Sequence, residues 1–230
     1  MELSKRLYAV ARAVTPGSRP ADIGTDHAYV PIWLVEQGIC PAAIASDLNP
    51  GPLEKAAAHV RKAGLSDRIS LRLGSGLAAI KPEETDTVVI AGMGGDLMTR
   101  ILREAPEFME SGKELVLQPQ SEWHKVRRLL AEGGYRIDRE WFLRDAGKYY
   151  LIIRARPGRQ AFPGDMGKET FYAYGDYLIA TGDQVYRTWL SEQKKKKEML
   201  ADSLRQGAPE RARILQEEAD EIGGLLDLRR

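Results

Sequence analysis

The chain is 230 residues long, 43% hydrophobic and 29% charged, with a net charge of +1. That length allows one full domain with a smaller appendage, and a charge so near zero points by itself to no acidic partner. No apolar run approaches a membrane span, the first six residues lack the apolar core of a signal peptide, and the single cysteine, Cys40, excludes an internal disulfide and a cysteine-based metal cluster, so a reducing cytoplasm is the expected compartment.

Strand and helix patterns alternate from residue 1 to about 156. A helix is expected over 3–14, stopped by Pro16 and Gly17, and a short strand over 19–24. A helix over 29–37 carries Pro31 in its first turn, where proline is tolerated, and ends at Gly38. Next come a buried strand over 42–47, a helix over 52–63 closed by Gly64, and a strand over 69–73 followed by Gly74-Ser75-Gly76. His59 falls within that helix and is expected at its surface. The apolar run Val88-Val89-Ile90 marks a strand over 87–91 that leads into Gly92-Met93-Gly94-Gly95 and a helix over 96–104. A strand over 115–118, a helix over 122–132 and two more strands over 135–143 and 149–156 complete the series. The last two strands have only a short connection and should pair as an antiparallel hairpin at the end of the sheet. The expected fold class is α/β: a seven-stranded, Rossmann-like sheet covered on both faces.

After Pro157-Gly158 no strand signal recurs. Helices are expected over 168–180, 183–206 and 209–228, with Pro209 opening the last. Val185, Trp189, Met199 and Leu200 share one face of the second helix; Ile214, Ala219, Ile222 and Leu226 share one face of the third. The boundary is therefore placed at 157, with residues 1–157 as the α/β domain and 158–230 as a helical, coiled-coil-like hairpin.

Ligands of open α/β sheets bind at the carboxyl ends of the strands. Four segments fall there: Asp22 to Tyr29, Asp47-Leu48-Asn49, Gly74-Ser75-Gly76, and Ala91-Gly92-Met93-Gly94 with Gly95. Asp47 is placed to accept hydrogen bonds from two ribose hydroxyls, Asp22 and Gly24 to line a methionine-like moiety, and Gly74 and Gly76 to leave room beside a flat adenine. The block over 91–95 closes the pocket near a transferable methyl group. A nicotinamide dinucleotide is the competing cofactor, but its glycine fingerprint is missing, and Asp26 would set negative charge against the pyrophosphate. The carboxylates suit the cationic S-adenosyl-L-methionine instead. Asp26, His27 and Tyr29 are the candidate catalytic residues beside it. The three histidines are too far apart in sequence for an evident metal site, so no metal is expected.

Charge is unevenly spread. Residues 121–159 hold 10 basic and 5 acidic side chains, whereas the segments on either side are each slightly acidic. Arg127, Arg128, Arg136, Arg139 and Arg144 belong to this basic stretch, and Lys194-Lys195-Lys196-Lys197 form a run inside the long helix. Both features fit either a solvated face or phosphate contacts with a nucleic acid.

The segments Asp22-Ile23-Gly24-Thr25-Asp26-His27-Ala28-Tyr29-Val30-Pro31-Ile32, Ser46-Asp47-Leu48-Asn49-Pro50, Ala91-Gly92-Met93-Gly94-Gly95 and Leu117-Gln118-Pro119-Gln120 together closely resemble the bacterial tRNA (adenine-N1)-methyltransferase family that acts on adenine 22 of tRNA. The resemblance covers residues 1–156 in motifs and extends to the helical layout beyond. It implies S-adenosyl-L-methionine as cofactor, tRNA as partner and a C-terminal coiled coil used in tRNA binding. Asp26 and Ala28 stand where methyltransferases in general carry glycines, and no Asn/Asp-Pro-Pro-Tyr motif follows the fourth strand. A methyltransferase for a small molecule or a protein, and a non-catalytic nucleic-acid-binding module, are the alternatives. The sequence carries no signal for an oligomeric state.

Overall fold

The structure is a computed structural model and describes residues 1–164 and 166–228. It opens with α1 (Lys5–Ala13), β1 (Pro20–Ile23), α2 (Tyr29–Glu36), β2 (Ala43–Asp47), α3 (Pro50–Lys62) and β3 (Ile69–Leu73). A 3-10 turn at Pro82–Glu84 precedes β4 (Thr87–Met93), α4 (Gly95–Arg103), α5 (Pro106–Glu110), β5 (Glu114–Pro119) and α6 (Trp123–Glu132). The long strands β6 (Tyr135–Asp145) and β7 (Lys148–Pro157) then precede α7 (Lys168–Tyr174), α8 (Tyr177–Ala180), α9 (Gln184–Leu204) and α10 (Pro209–Asp227).

The seven strands form one sheet in the order β3-β2-β1-β4-β5-β7-β6. β1 to β5 run parallel, and β7 pairs antiparallel with β5. Ala146 and Gly147 alone join β6 to β7, a connection short enough only for an antiparallel hairpin. β1 and β5 are buried at every position, as strands covered on both faces must be. Between β1 and β4 the strand order reverses, which opens the crevice where such sheets take ligands.

The opposite ends of the strands are clamped by Glu114. Its carboxylate accepts from the Thr15 backbone N–H and hydroxyl at 3.1 and 2.6 Å, the Thr87 hydroxyl at 3.2 Å, and Arg156 Nε and Nη2 at 2.9 and 2.8 Å. One nearly buried charge thus ties the α1–β1 connection to β4, β5 and β7, with its own hydrogen-bonding capacity filled.

A second buried charge fixes α6. Arg127 and Glu140 are 0% and 1% exposed and meet at 2.9 Å. Arg127 Nη1 also donates to the carbonyls of Tyr172 and Ala173 at 3.2 and 3.0 Å. Those carbonyls end α7 and have no helical partner, so the guanidinium caps that helix. This corrects the expectation that Arg127 joins a basic surface.

By contacts the chain divides into two compact units: 1–141 with 150–174, and 142–149 with 175–230. The division runs through the β6–β7 hairpin and Gly175, not at Pro157, where the loss of strand signal sets it. The single helix expected over 168–180 is broken because Gly175 adopts φ +68°, a left-handed stop after α7. The second unit holds the hairpin tip and α8 to α10. Phe142 packs on Tyr186 and Trp189 at centroid distances of 4.9 and 5.6 Å, and Asp183 caps α9 by accepting from Tyr186 N at 2.8 Å. The buried face of α9 is Tyr186, Leu190 and Ala201; Val185, Met199 and Leu200 of the expected face are exposed. The polar stretch 191–198 supplies no apolar residue to set the phase between the two ends of the helix. On α10, Ala219 and Ile222 of the expected face are buried together with Ala212, Leu215 and Leu225.

Candidate active site

The β1–α2 turn starts at Asp22. The backbone N–H groups of Gly24 and Thr25 both donate to the Ser46 carbonyl, at 2.8 and 2.9 Å, which ties the turn to β2. Gly24 has φ +73°, and a Cβ there would lie 2.1 Å from Met93 Cε. Met93 reaches it through a bulge: Ala91 pairs with Gln118 and Met93 with Pro119, while Gly92, at φ +81°, is skipped. Met93 is flexible and can yield, but the backbone cannot. Gly24→Ala is therefore expected to lose about 1–2 kcal/mol of stability through its left-handed backbone, read as a fall of a few degrees in Tm. An unchanged Tm would show that the turn re-forms with a different φ.

Ala28 is buried and also left-handed, with φ +56°, immediately before α2. A non-glycine residue held there stores strain beside the candidate catalytic residues. It divides His27 from Tyr29, whose rings nevertheless stack at 4.9 Å and 12°. His59 of α3 completes a three-ring cluster, 5.3 Å from each of the other two. Packing against these rings places His59 half inside rather than at the surface where the helix pattern sets it.

Asp22, Gly24, Asp26, His27, Tyr29 and Ala91 line one pocket of about 200 Å³. Asp47 and Leu48 lie at the end of the neighbouring strand β2, and Gly74, Ser75 and Gly76 follow β3 beyond it. Asp47 Oδ1 accepts from Asn49 N at 2.8 Å. Leu48 and Leu73 leave 63% and 60% of their surface exposed, an apolar platform at two adjacent strand ends. Gly74 abuts Ala79 and Gly76 abuts Ile101, so both glycines also serve the chain's own packing. Gly94 packs beside Ser121.

Arg6 is a pocket residue that the sequence does not single out. Its Nη1 donates to the buried Gln118 Oε1 at 2.8 Å, and its guanidinium sits 5.8 Å from the Tyr150 ring centroid. Nothing in α1 distinguishes it from any other helical arginine; only the fold brings it across 112 residues to Gln118.

Electrostatics divide the two pocket carboxylates. Burial pushes the Asp22 carboxyl up to about 6, with Asp47 adding to the rise and Thr25 and Arg6 opposing it. Asp26 differs: its side chain is 73% exposed and lies 3.3 Å from His27 Nε2. A buried carboxylate held back from ionising favours a ligand that brings positive charge. The fit to a sulfonium cofactor thus rests on Asp22, with Arg6 in the same pocket for an acidic group and with Leu48 and Leu73 at the ends of β2 and β3 for an apolar ring.

Half of the basic side chains of 121–159 are held in ion pairs. Lys125, Arg127, Arg128, Arg154 and Arg156 are all in ion pairs with Asp96, Glu140, Glu169, Asp138 and Glu114. Arg139 lies over Trp141 and Arg144 over Tyr149. In the lysine run, Lys194 pairs with Glu198 and Lys197 with Glu218, while Lys195 and Lys196 are exposed.

A reversing parallel sheet with an acidic, glycine-containing first turn and no pyrophosphate fingerprint defines a Rossmann-like methyltransferase, and residues 3–153 match the methyltransferase domain family. Over 194 residues the chain is 35% identical to the tRNA (adenine(22)-N(1))-methyltransferase of Bacillus subtilis, covering 84% of this chain and 82% of that one. The chain belongs to the tRNA (adenine(22)-N1)-methyltransferase family. Its structure superposes on that of the B. subtilis m1A22 tRNA methyltransferase TrmK with a TM-score of 0.89 at 30% identity, covering 98% and 99% of the two chains. It is also similar to a Streptococcus pneumoniae protein, a candidate tRNA (m1A22) methyltransferase, solved in complex with S-adenosyl-L-methionine: TM-score 0.86 at 31% identity, covering 98% and 100%. No described helix is long and apolar enough to cross a membrane, and no metal-binding cluster is found among the described residues.

Proposed function

We propose that this chain transfers a methyl group from S-adenosyl-L-methionine to N1 of adenine 22 in tRNA, in the cytoplasm. The observation that carries the reading is the buried Asp22 beside the stacked rings of His27 and Tyr29, on a chain of this family. Asp22, Gly24 and Ala91 to Gly94 would surround the methionine part of the cofactor, Asp47 would hold its ribose, and Leu48, Leu73 and Gly74 to Gly76 would flank its adenine. The bound cofactor supplies an electrophilic methyl group.

Neutral adenine N1 already carries a lone pair, so no residue needs to remove a proton before attack. The chain's task is positioning: the stacked pair Tyr29 and His27 gives an aromatic surface against which an extruded base can pack, and Arg6, held by Gln118, lines the same pocket. Methylation leaves a positive charge on the base, which Asp26 opposes from the pocket mouth. Because Asp26 is mostly exposed, water weakens that contribution.

Asp26→Asn is expected to lower kcat by roughly ten-fold while cofactor affinity stays within about two-fold. Steady-state kinetics and calorimetry check it, and an equal loss in both would count against this role. The deciding experiment for the function is transfer of labelled methyl to unmodified tRNA with the product nucleoside identified; absence of 1-methyladenosine at position 22 would overturn the reading.

The helical unit is proposed as the coiled-coil tRNA contact, with Lys195 and Lys196 among its exposed cations. The three-four spacing of Ala212, Leu215, Ala219 and Ile222 supports coiled-coil packing.

A further inference from the structure

Tyr29 is a wall shared by two pockets. On one side lies the candidate active site; on the other lies a cleft of about 410 Å³, lined by Tyr29, Ile32, Glu36, His59, Lys62 and Ala63. Its size falls within the range of about 300–1,000 Å³ usual for ligand clefts. The proposed use of the first pocket leaves this second cleft without a role.

Its chemistry is specific. Tyr29 and His59 stack on each other at 5.3 Å and 22°, and the pair lines one wall of the cleft. His59 is held rigidly: its Nδ1 lies 3.2 Å from the His27 carbonyl oxygen, which can only accept. In that contact Nδ1 donates to the carbonyl. Ile32 is buried and Ala63 half-buried, which gives an apolar floor. Lys62 is exposed and has no ion pair among the described residues, so a cation stands at the rim for a phosphate. Glu36 lies 3.0 Å from the Met1 ammonium, which offsets its charge.

Aromatic surface, an apolar floor and one rim cation are what single-stranded RNA readers use to take a splayed base. We propose that this cleft is a second base-binding subsite, which receives a nucleobase flanking the target in the same RNA strand, with His59 as its stacking residue. The inference rests on the tRNA methyltransferase reading above. When the target nucleotide leaves its stack to reach the first pocket, its neighbour arrives at the second cleft, which shares Tyr29 with the first. Stacking there holds the strand open and registers the target.

The test uses the full-length protein and unmodified tRNA transcripts. His59→Ala is expected to raise KM for tRNA roughly ten-fold, the size of one lost stacking contact, with kcat within about two-fold and calorimetric cofactor affinity unchanged. His59→Phe keeps a ring but loses the bond to the His27 carbonyl, and it should restore KM. Transcripts lacking the base at one flanking position should show the same KM increase with the wild-type enzyme and no further increase with His59→Ala. If His59→Phe is as impaired as His59→Ala, the residue acts through the His27 backbone and the subsite is refuted. The subsite is equally refuted if neither flanking base matters to the wild-type enzyme. Failure of the underlying function looks different: the wild-type enzyme would methylate no tRNA adenine at all.

Discussion

Cofactor affinity is expected to fall about ten-fold when the pH is lowered from 7.5 to 5, and Asp22→Asn should abolish that dependence. The free protein holds the Asp22 carboxyl at about 6, chiefly because burial disfavours its charged form. A cationic ligand is served only by the ionised form. Below pH 6 binding must first remove a proton, so affinity drops by up to about ten-fold per pH unit. Above pH 7 the group is already ionised and affinity levels off. Calorimetry in buffers of different ionisation enthalpy should register about half a proton released per cofactor bound at pH 6. A wild-type affinity that stays flat from pH 5 to 7.5 would remove Asp22 from the cofactor's charge balance.

The same shift predicts the stability of the free protein, with the opposite preference. A carboxyl whose folded value lies above its unfolded value of 3.8 contributes stability below pH 4. That contribution is lost as pH rises through 6, and the buried charge at pH 7.5 then costs up to ~3 kcal/mol. Asp22→Asn should therefore raise the Tm of the free protein at pH 7.5 while weakening cofactor binding. Such an exchange of stability for binding is expected where a site holds a buried charge ready for its ligand.

Arg127→Leu should produce the largest loss of stability of these changes, about 3–5 kcal/mol, because it removes the guanidinium that pairs with the buried Glu140 carboxylate. For a chain of this size that corresponds to a Tm lower by about 10 °C. The double variant Arg127→Leu, Glu140→Leu should recover part of the loss but not all of it. Two hydrophobic side chains remove the buried carboxylate along with its arginine, yet the Tyr172 and Ala173 carbonyls at the end of α7 lose their donor in both variants. Thermal unfolding of the three proteins checks this, and a double variant as stable as the wild type would show that α7 needs no cap.

Much of the first unit is legible from local signals. The strands β1, β2, β4 and β5 are short and largely buried because both their faces are covered, and that makes them visible as runs bounded by Gly, Pro and Asp. The acidic and glycine-rich ends of those strands are visible for the same reason. In the helical unit the signal is weaker, because α9 offers its apolar residues at two ends separated by a charged stretch, and the buried face is rotated from the expected one.

By itself the sequence determined the strand–helix alternation, the family motifs and the cluster Asp22, Gly24, Asp26, His27 and Tyr29, since each depends on residues close together in the chain. The tertiary structure alone decided which charges are free and which are spent. It drew Arg6 into the pocket, buried Arg127 against Glu140, paired half of the basic stretch, and set His59 against the rings of His27 and Tyr29. Charge and aromatic identity are written in the sequence, but desolvation and partnership depend on distances between residues far apart in it, and those exist only once the sheet has formed.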